Sequence, residues 1–189
     1  MFNPGDILLY DARALKFATI IPKLIRLITG NKITHVAMYL KKDGENHIIL
    51  DALISGVKLK TLTTSQLYDR SKENFKLYGI SRLPEIELLP DVVKKTDMFL
   101  WMAEKYAPSP YAIKTICNLL LQHGIGRIYP DKQWKVSFKS SKGYICSEAC
   151  QLVMEDIIKL NQINITFTKV AAITEPDDYL KAPWKVITL

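Results

Sequence analysis

Residues 34–52 read Thr34-His35-Val36-Ala37-Met38-Tyr39-Leu40-Lys41-Lys42-Asp43-Gly44-Glu45-Asn46-His47-Ile48-Ile49-Leu50-Asp51-Ala52. Two apolar runs flank a polar centre that contains Asp43-Gly44, and this dipeptide between such runs is a strong short-range signal for a β-hairpin. The reading is a strand over 33–40, a turn over 41–46 and a second strand over 47–52. Loop length decides which side chains share a face. A three-residue loop of Lys42, Asp43 and Gly44 pairs 41 with 45, 39 with 47, 37 with 49 and 35 with 51. His35 and Asp51 then face each other on one side of the sheet, with Val36, Met38, Ile48 and Leu50 on the other. A two-residue Asp43-Gly44 loop puts them on opposite faces. The sequence leaves both registers open.

Working outward, Gly5-Asp6 opens Ile7-Leu8-Leu9-Tyr10, a short apolar run bounded by turn residues and read as a buried strand. Residues 14–28 are apolar with a sparse basic stripe (Lys16, Lys23, Arg26), and Pro22 interrupts any helix there. Downstream, Ser55-Gly56 turns into the alternating strand Val57-Lys58-Leu59-Lys60, and 75–83 reads as a further strand. Three amphipathic helices are expected, over 91–106, 111–122 and 146–160, from apolar residues recurring at spacings of three and four. A Glu-Pro-Asp-Asp turn and a last strand-like run end the chain. Strands and helices are segregated along the sequence, so the expected class is α+β in one domain, 1–189.

The whole chain has 189 residues, 48% of them hydrophobic and 24% charged. A chain of this length buries roughly 70% of its unfolded surface and needs neither disulfide nor metal to fold. The composition excludes collagen, low-complexity disorder and a disulfide-knotted miniprotein. Three cysteines argue for a reducing compartment rather than a disulfide framework. No apolar run approaches the roughly 20 residues that span a bilayer, and Pro4, Gly5 and Asp6 break the start before an apolar signal core develops. The expectation is a soluble, cytoplasmic protein. The balance of 26 Lys+Arg against 19 Asp+Glu gives +7. That surplus leaves peripheral contact with an anionic surface open. The basic residues are scattered in ones and twos without a nucleic-acid motif, so no specific nucleic-acid partner is expected.

Cys146 carries the most chemistry. In Gly143-Tyr144-Ile145-Cys146-Ser147-Glu148 a short apolar approach meets the first turn of the expected helix. A thiol there faces unpaired backbone N–H groups and the positive end of the helix dipole, which favour thiolate and could hold an oxyanion. The plain alternative is a small buried hydrophobe, the usual fate of a free cysteine. His35 facing Asp51 would complete a Cys–His–carboxylate arrangement, in which the carboxylate orients the imidazole and the imidazole takes the thiol proton. His47 and His123 lack a comparably placed carboxylate. Cys146 and Cys150, four apart on one helical face, could join a histidine around a metal, but a single such pair is weak support for zinc. Cys150 and Cys117 are expected to pack in the interior, and Asp6 to serve a turn.

Together, Pro4-Gly5-Asp6-Ile7-Leu8-Leu9, Thr34-His35-Val36-Ala37-Met38-Tyr39, Tyr144-Ile145-Cys146-Ser147-Glu148 and the closing Ile173-Thr174-Glu175-Pro176-Asp177-Asp178 resemble the circularly permuted branch of the NlpC-type papain-like hydrolases, the YiiX-like group. The resemblance implies a papain-like core, with a small antiparallel sheet or barrel packed on the helix that carries the nucleophilic cysteine. It implies Cys146 as nucleophile, His35 as base and Asp51 as orienting residue, at a position where the group often has Glu. His35 precedes Cys146, the reverse of papain's order, which a triad defined by geometry tolerates. Tyr10, Tyr144 and Ser147 are the candidates for substrate contact, and segment 14–28 could wall an acyl or anionic substrate. The expected activity is amidase- or peptidase-like cleavage of an amide or ester through an acyl-cysteine. The substrate would be a cell-wall peptide or a lipid or amino-acid conjugate, and neither metal nor organic cofactor is required. An acyltransferase or lipase using the same triad and a non-catalytic module binding anionic polymer are the alternatives.

Overall fold

The computed structural model describes residues 2–12, 33–89, 92–112, 143–165, 167, 176–181 and 183–188. Segment 14–28, Cys117, His123 and all but the first two residues of the helix expected over 111–122 lie outside them. Among the described residues seven strands form one antiparallel sheet: β1 (Ile7–Ala12), β2 (His35–Asp43), β3 (Asn46–Leu53), β4 (Gly56–Thr63), β5 (Asp69–Arg70), β6 (Phe75–Arg82) and β7 (Lys185–Thr188). Their order is β4-β3-β2-β1-β6-β5, with β7 added to β6. Two short helices, α1 (Thr64–Tyr68) and α2 (Pro84–Glu87), follow β4 and β6, and two long ones, α3 (Val92–Tyr106) and α4 (Cys146–Leu160), follow later. The class is α+β.

Alternation along the strands sorts their side chains into two cores. Ile7, Leu9, Val36, Met38, Leu50 and Ala52 face α3 and α4. Leu8, Tyr10, Ala37, Tyr39, Ile49, Phe75 and Leu77 fill the opposite, concave face together with Leu67 of α1. The helices present Phe99, Met102 and Ala103 of α3 and Ala149, Cys150, Val153, Met154 and Ile157 of α4 to the first core. Those spacings of three and four make one apolar stripe per helix, and each fully buried Val, Ile or Phe contributes about 1.5–3 kcal/mol. Asn161 stops α4, its side-chain amide donating to the Ile157 carbonyl at 2.8 Å.

The sheet curls. β3 and β4 lie at one end of the strand order and β5 at the other, yet Arg70 of β5 touches Asp51 of β3, and Lys60 of β4 touches Glu73 beyond β5. Ion pairs of 2.6 and 3.2 Å between the two ends require the concave face to close on itself. Asp6 is the turn carboxylate expected: it accepts from the Asn3 N–H at 2.7 Å and takes the Arg82 fork at 2.7 and 2.8 Å. Among the described residues no helix is long and apolar enough to cross a membrane.

Candidate active site

The hairpin reaches the facing arrangement by neither of the two expected loops. Asp43 pairs with Asn46 around Gly44-Glu45, and Gly44 at φ +58° occupies the first central position, where this tight turn needs a positive φ. Carried unbroken along the ladder, that register would oppose Asp51 to Met38, on the face away from His35. A bulge intervenes: Tyr39 pairs with Ile49 and Lys41 with Ile48, so Leu40 is the extra residue. Beyond it Ala37 opposes Asp51. His35, two residues along the same face, is therefore the diagonal neighbour of Asp51 rather than its direct partner.

His35 Nε2 donates to Asp51 Oδ1 at 2.7 Å, with both side chains buried. This leaves Nδ1 as the nitrogen not engaged by Asp51, and the Cys146 side chain lies near enough to the same imidazole to help raise its pKa. His35 is the first residue of β2 and Cys146 the first of α4, so the contact joins two element ends where α4 packs across β2. Ile145 is extended ahead of the helix, and Glu148 Oε2 accepts from the Ile145 N–H at 3.3 Å, so the chain enters the first turn at a fixed angle. Tyr179 holds that turn from behind by donating its hydroxyl to the Ser147 carbonyl at 2.8 Å.

Electrostatics favour a protonated imidazole beside an ionised carboxylate. Burial works against protonation of His35, but the Asp51 charge and the Cys146 side chain outweigh it and raise its pKa above the ordinary 6.5. Burial likewise opposes ionisation of Asp51, and the contacts with His35 and Arg70 overcome this to hold its carboxyl well below the usual range. Burial pushes up the Cys150 thiol, one turn along, and the neighbouring Cys146 and Asp51 push it further. It packs in the first core, as expected.

Four further residues surround the His35–Asp51 pair that the sequence reading passed over. Arg70 donates from Nη2 to Asp51 Oδ2 at 2.6 Å and from Nη1 to Oδ1 at 3.3 Å. Lys60 Nζ lies 2.9 Å from the same Oδ2, and Glu73 accepts from both Lys60 and Arg70, at 3.2 and 3.4 Å. His35 and both terminal nitrogens of Arg70 donate to the Asp51 carboxylate and the Lys60 ammonium pairs with it, so each oxygen has two polar partners. The ring of Phe75 stacks on the imidazole, which Tyr10 flanks on a tilt at 5.9 Å.

The three residues expected to meet substrate are placed differently from one another. Tyr10 is fully buried, its hydroxyl donating to the Leu67 carbonyl at 3.1 Å, so it supports the imidazole and offers no surface to a ligand. Ser147 is fully buried inside the first turn of α4. Tyr144 remains partly exposed, edge-on to Tyr106 at 5.5 Å and bridged to Tyr111, whose phenol burial and the nearby Cys146 push up. Of the three, Tyr144 alone keeps a partly exposed side chain. His47 lies elsewhere on the sheet, between Tyr39 Oη at 3.1 Å and Thr64 Oγ1 at 3.0 Å. Among the described residues no three His, Cys, Asp or Glu side chains are grouped to hold a metal ion. No family model matches the chain, and a search of curated proteins returns no match.

Proposed function

We propose that this chain is a thiol hydrolase that cleaves an amide or ester bond through an acyl-cysteine, on a papain-like core in permuted order. The observation that carries the reading is a buried imidazole held between a carboxylate on Nε2 and a thiol at the N-terminus of a 15-residue helix. A satisfied structural histidine has no need of a cysteine at its second nitrogen, and a packing cysteine has no need of a helix start.

In the reaction His35 Nδ1 takes the Cys146 proton and the thiolate attacks the substrate carbonyl carbon. Backbone N–H groups of the first turn of α4 receive the developing oxyanion. The bond to the leaving amine or alcohol breaks as His35 returns the proton to it, giving a thioester. Water then attacks that thioester with His35 again as base; the C–S bond breaks, the acid departs and the thiol is restored. Asp51 keeps the imidazole in the tautomer with hydrogen on Nε2 and stabilises the imidazolium between the steps.

The deciding experiment needs no substrate. Alkylation of Cys146 and Cys150 is followed by mass spectrometry from about pH 4 to about pH 9, in the native protein and in His35→Ala. Cys146 should react fast well below the roughly 8.5 of a free thiol and lose that advantage in His35→Ala. A folded protein whose Cys146 is inert, or reacts as Cys150 does, sinks the hydrolase reading. Amide and ester panels then separate hydrolysis from acyl transfer.

A further inference from the structure

We propose that Arg70, backed by Glu73 and Lys60, is a positioning residue for the Cys146–His35 pair. It fixes the carboxylate edge that Asp51 turns to the imidazole and sets the pH range in which the pair is charged. The inference deepens the thiol-hydrolase reading and rests on it.

Arg70 is a charge that folding should avoid burying. Its side chain is fully enclosed, and taking a guanidinium out of water is costly before any partner is counted. Asp51 would keep two partners without it, His35 at 2.7 Å and Lys60 at 2.9 Å. What only the fork supplies is orientation. Nη1 and Nη2 each meet a different oxygen, which fixes the plane of the carboxylate, and a lysine reaching one oxygen cannot do that. The fork is itself fixed. The guanidinium carbon lies 5.2 Å from the Tyr10 ring centre and 5.6 Å from that of Phe75, and Nε donates to Glu73. Tyr10 and Phe75 are also the two rings that flank His35. Imidazole and guanidinium thus share one pair of aromatic supports, with Asp51 bridging their polar edges.

The charges point the same way. The groups facing His35 are Asp51 from β3, Cys146 from α4 and the Tyr10 phenol from β1, with uncharged Phe75 from β6. Those facing Asp51 are His35, Arg70 from β5 and Lys60 from β4; the Tyr10 and Tyr111 phenols and the Cys150 thiol also feel its charge. Glu73 stands behind both cations. Arg70 and Lys60 therefore balance Asp51 and Glu73. An enclosed carboxylate with no counter-charge would hold the imidazolium proton too firmly for a base that must give it back, since proton transfer works best near the operating pH.

Charge and geometry separate by substitution. Alkylation of Cys146 is measured against pH in the native protein, His35→Ala, Arg70→Gln, Arg70→Lys and Glu73→Gln, together with the NMR titration of the His35 ring. Losing a positive charge makes every nearby proton harder to remove. Arg70→Gln should therefore move both the rise in alkylation and the His35 titration up by about one pH unit. Glu73→Gln removes a negative charge and should move both down, by less because its side chain is 32% exposed. Arg70→Lys keeps the charge and loses the fork: the curve stays in place while its maximum falls about tenfold, the scale of an outer-shell defect. Glu73 is exposed enough for its variant to fold even if Arg70→Gln does not, so the sign test survives. If native Cys146 shows the fast, His35-dependent reaction while Arg70→Gln and Glu73→Gln superimpose on it, Arg70 is only structural and the proposal fails. If the native protein lacks that reaction, the hydrolase reading fails first and takes this one with it.

Discussion

The ring of Phe75 lies on the imidazole of His35, with centroids 4.6 Å apart and planes 17° from parallel. Phe75 opens β6 and His35 opens β2, two strands separated by β1, so only a curled sheet brings them into contact. A buried imidazole with one face sealed by a ring cannot swing its Nε2 away from Asp51. Phe75→Leu keeps the bulk and loses the flat face. We expect about 1–2 kcal/mol of destabilisation in urea, with Cys146 alkylation slowed several-fold at pH values where the protein is fully folded. Unchanged alkylation in the folded variant would show that Asp51 alone orients the ring.

Two buried histidines on one sheet should titrate in opposite directions. At His35 the Asp51 charge overcomes burial and raises the pKa above 6.5. At His47 burial dominates, Lys42 adds to it against Glu45, and the pKa is lowered. The hydrogen-bond partners of His47 are the neutral Tyr39 and Thr64 hydroxyls, which give an imidazolium no counter-charge. Proton NMR of the ring Cε1–H signals should show His47 losing its proton below pH 6.5 and His35 above it. The linked stabilities have opposite signs. The His35 contribution is complete below 6.5 and is lost as pH rises through its raised pKa. The His47 contribution is complete above 6.5 and is lost as pH falls through its lowered one. Assigning the signals with His47→Gln identifies which is which, and the reverse order would contradict the Asp51 contact.

The hairpin and its two chemical residues could be read from 34–52, because alternation and a Gly-containing turn are local signals. Their shared face was reached by a route that local signals do not specify. Gly44-Glu45 rather than Asp43-Gly44 forms the turn, and a bulge at Leu40 restores the parity that this turn alone would have reversed. Arg70 was hidden for a different reason. Asp69-Arg70-Ser71-Lys72-Glu73 is five polar residues in a row and reads as solvated loop. Its guanidinium is buried only because the two ends of the sheet curl together, and nothing in a linear pattern encodes that closure. Tyr10 differs in the opposite sense: expected to contact substrate, it is fully buried, its hydroxyl tied to the Leu67 carbonyl under α1.

Glycine substitutions should separate the two turns on either side of β3. Gly56 has φ +107°, and a Cβ there would sit 2.7 Å from the Ser109 carbonyl oxygen. That oxygen accepts from the Val57 N–H at 2.8 Å and Ser109 N–H donates back to Val57 at 3.3 Å, so the backbone cannot withdraw without losing the bridge. Gly56→Ala should cost about 3 kcal/mol, from left-handed strain plus overpacking. Gly44 has φ +58° with open space around it, so Gly44→Ala should cost only about 1 kcal/mol. Urea midpoints of the two variants test the difference, and equal losses would count against the Val57–Ser109 clamp.

The buried charge of Asp51 makes a stability prediction that does not depend on catalysis. Burial opposes its ionisation, but His35 and Arg70 hold its carboxyl far below the ordinary 3.8. A group whose folded pKa is depressed stabilises the fold fully above its unfolded value, and that stabilisation is lost as pH falls toward the folded one. Asp51→Asn removes the charge while keeping the shape, and it strands Arg70 and Lys60, a defect worth about 3 kcal/mol for a broken buried pair. The gap in urea stability between the native protein and Asp51→Asn should therefore be wide near neutrality and shrink steadily below pH 3.8. Raising the salt concentration should scarcely change the gap at neutral pH, because the Asp51 and Arg70 side chains are both fully enclosed. A gap of constant size from neutrality through the acid range would mean that the Asp51 carboxyl titrates alike in the folded and unfolded chains, and the contacts with His35 and Arg70 would then give its charge no net stabilisation.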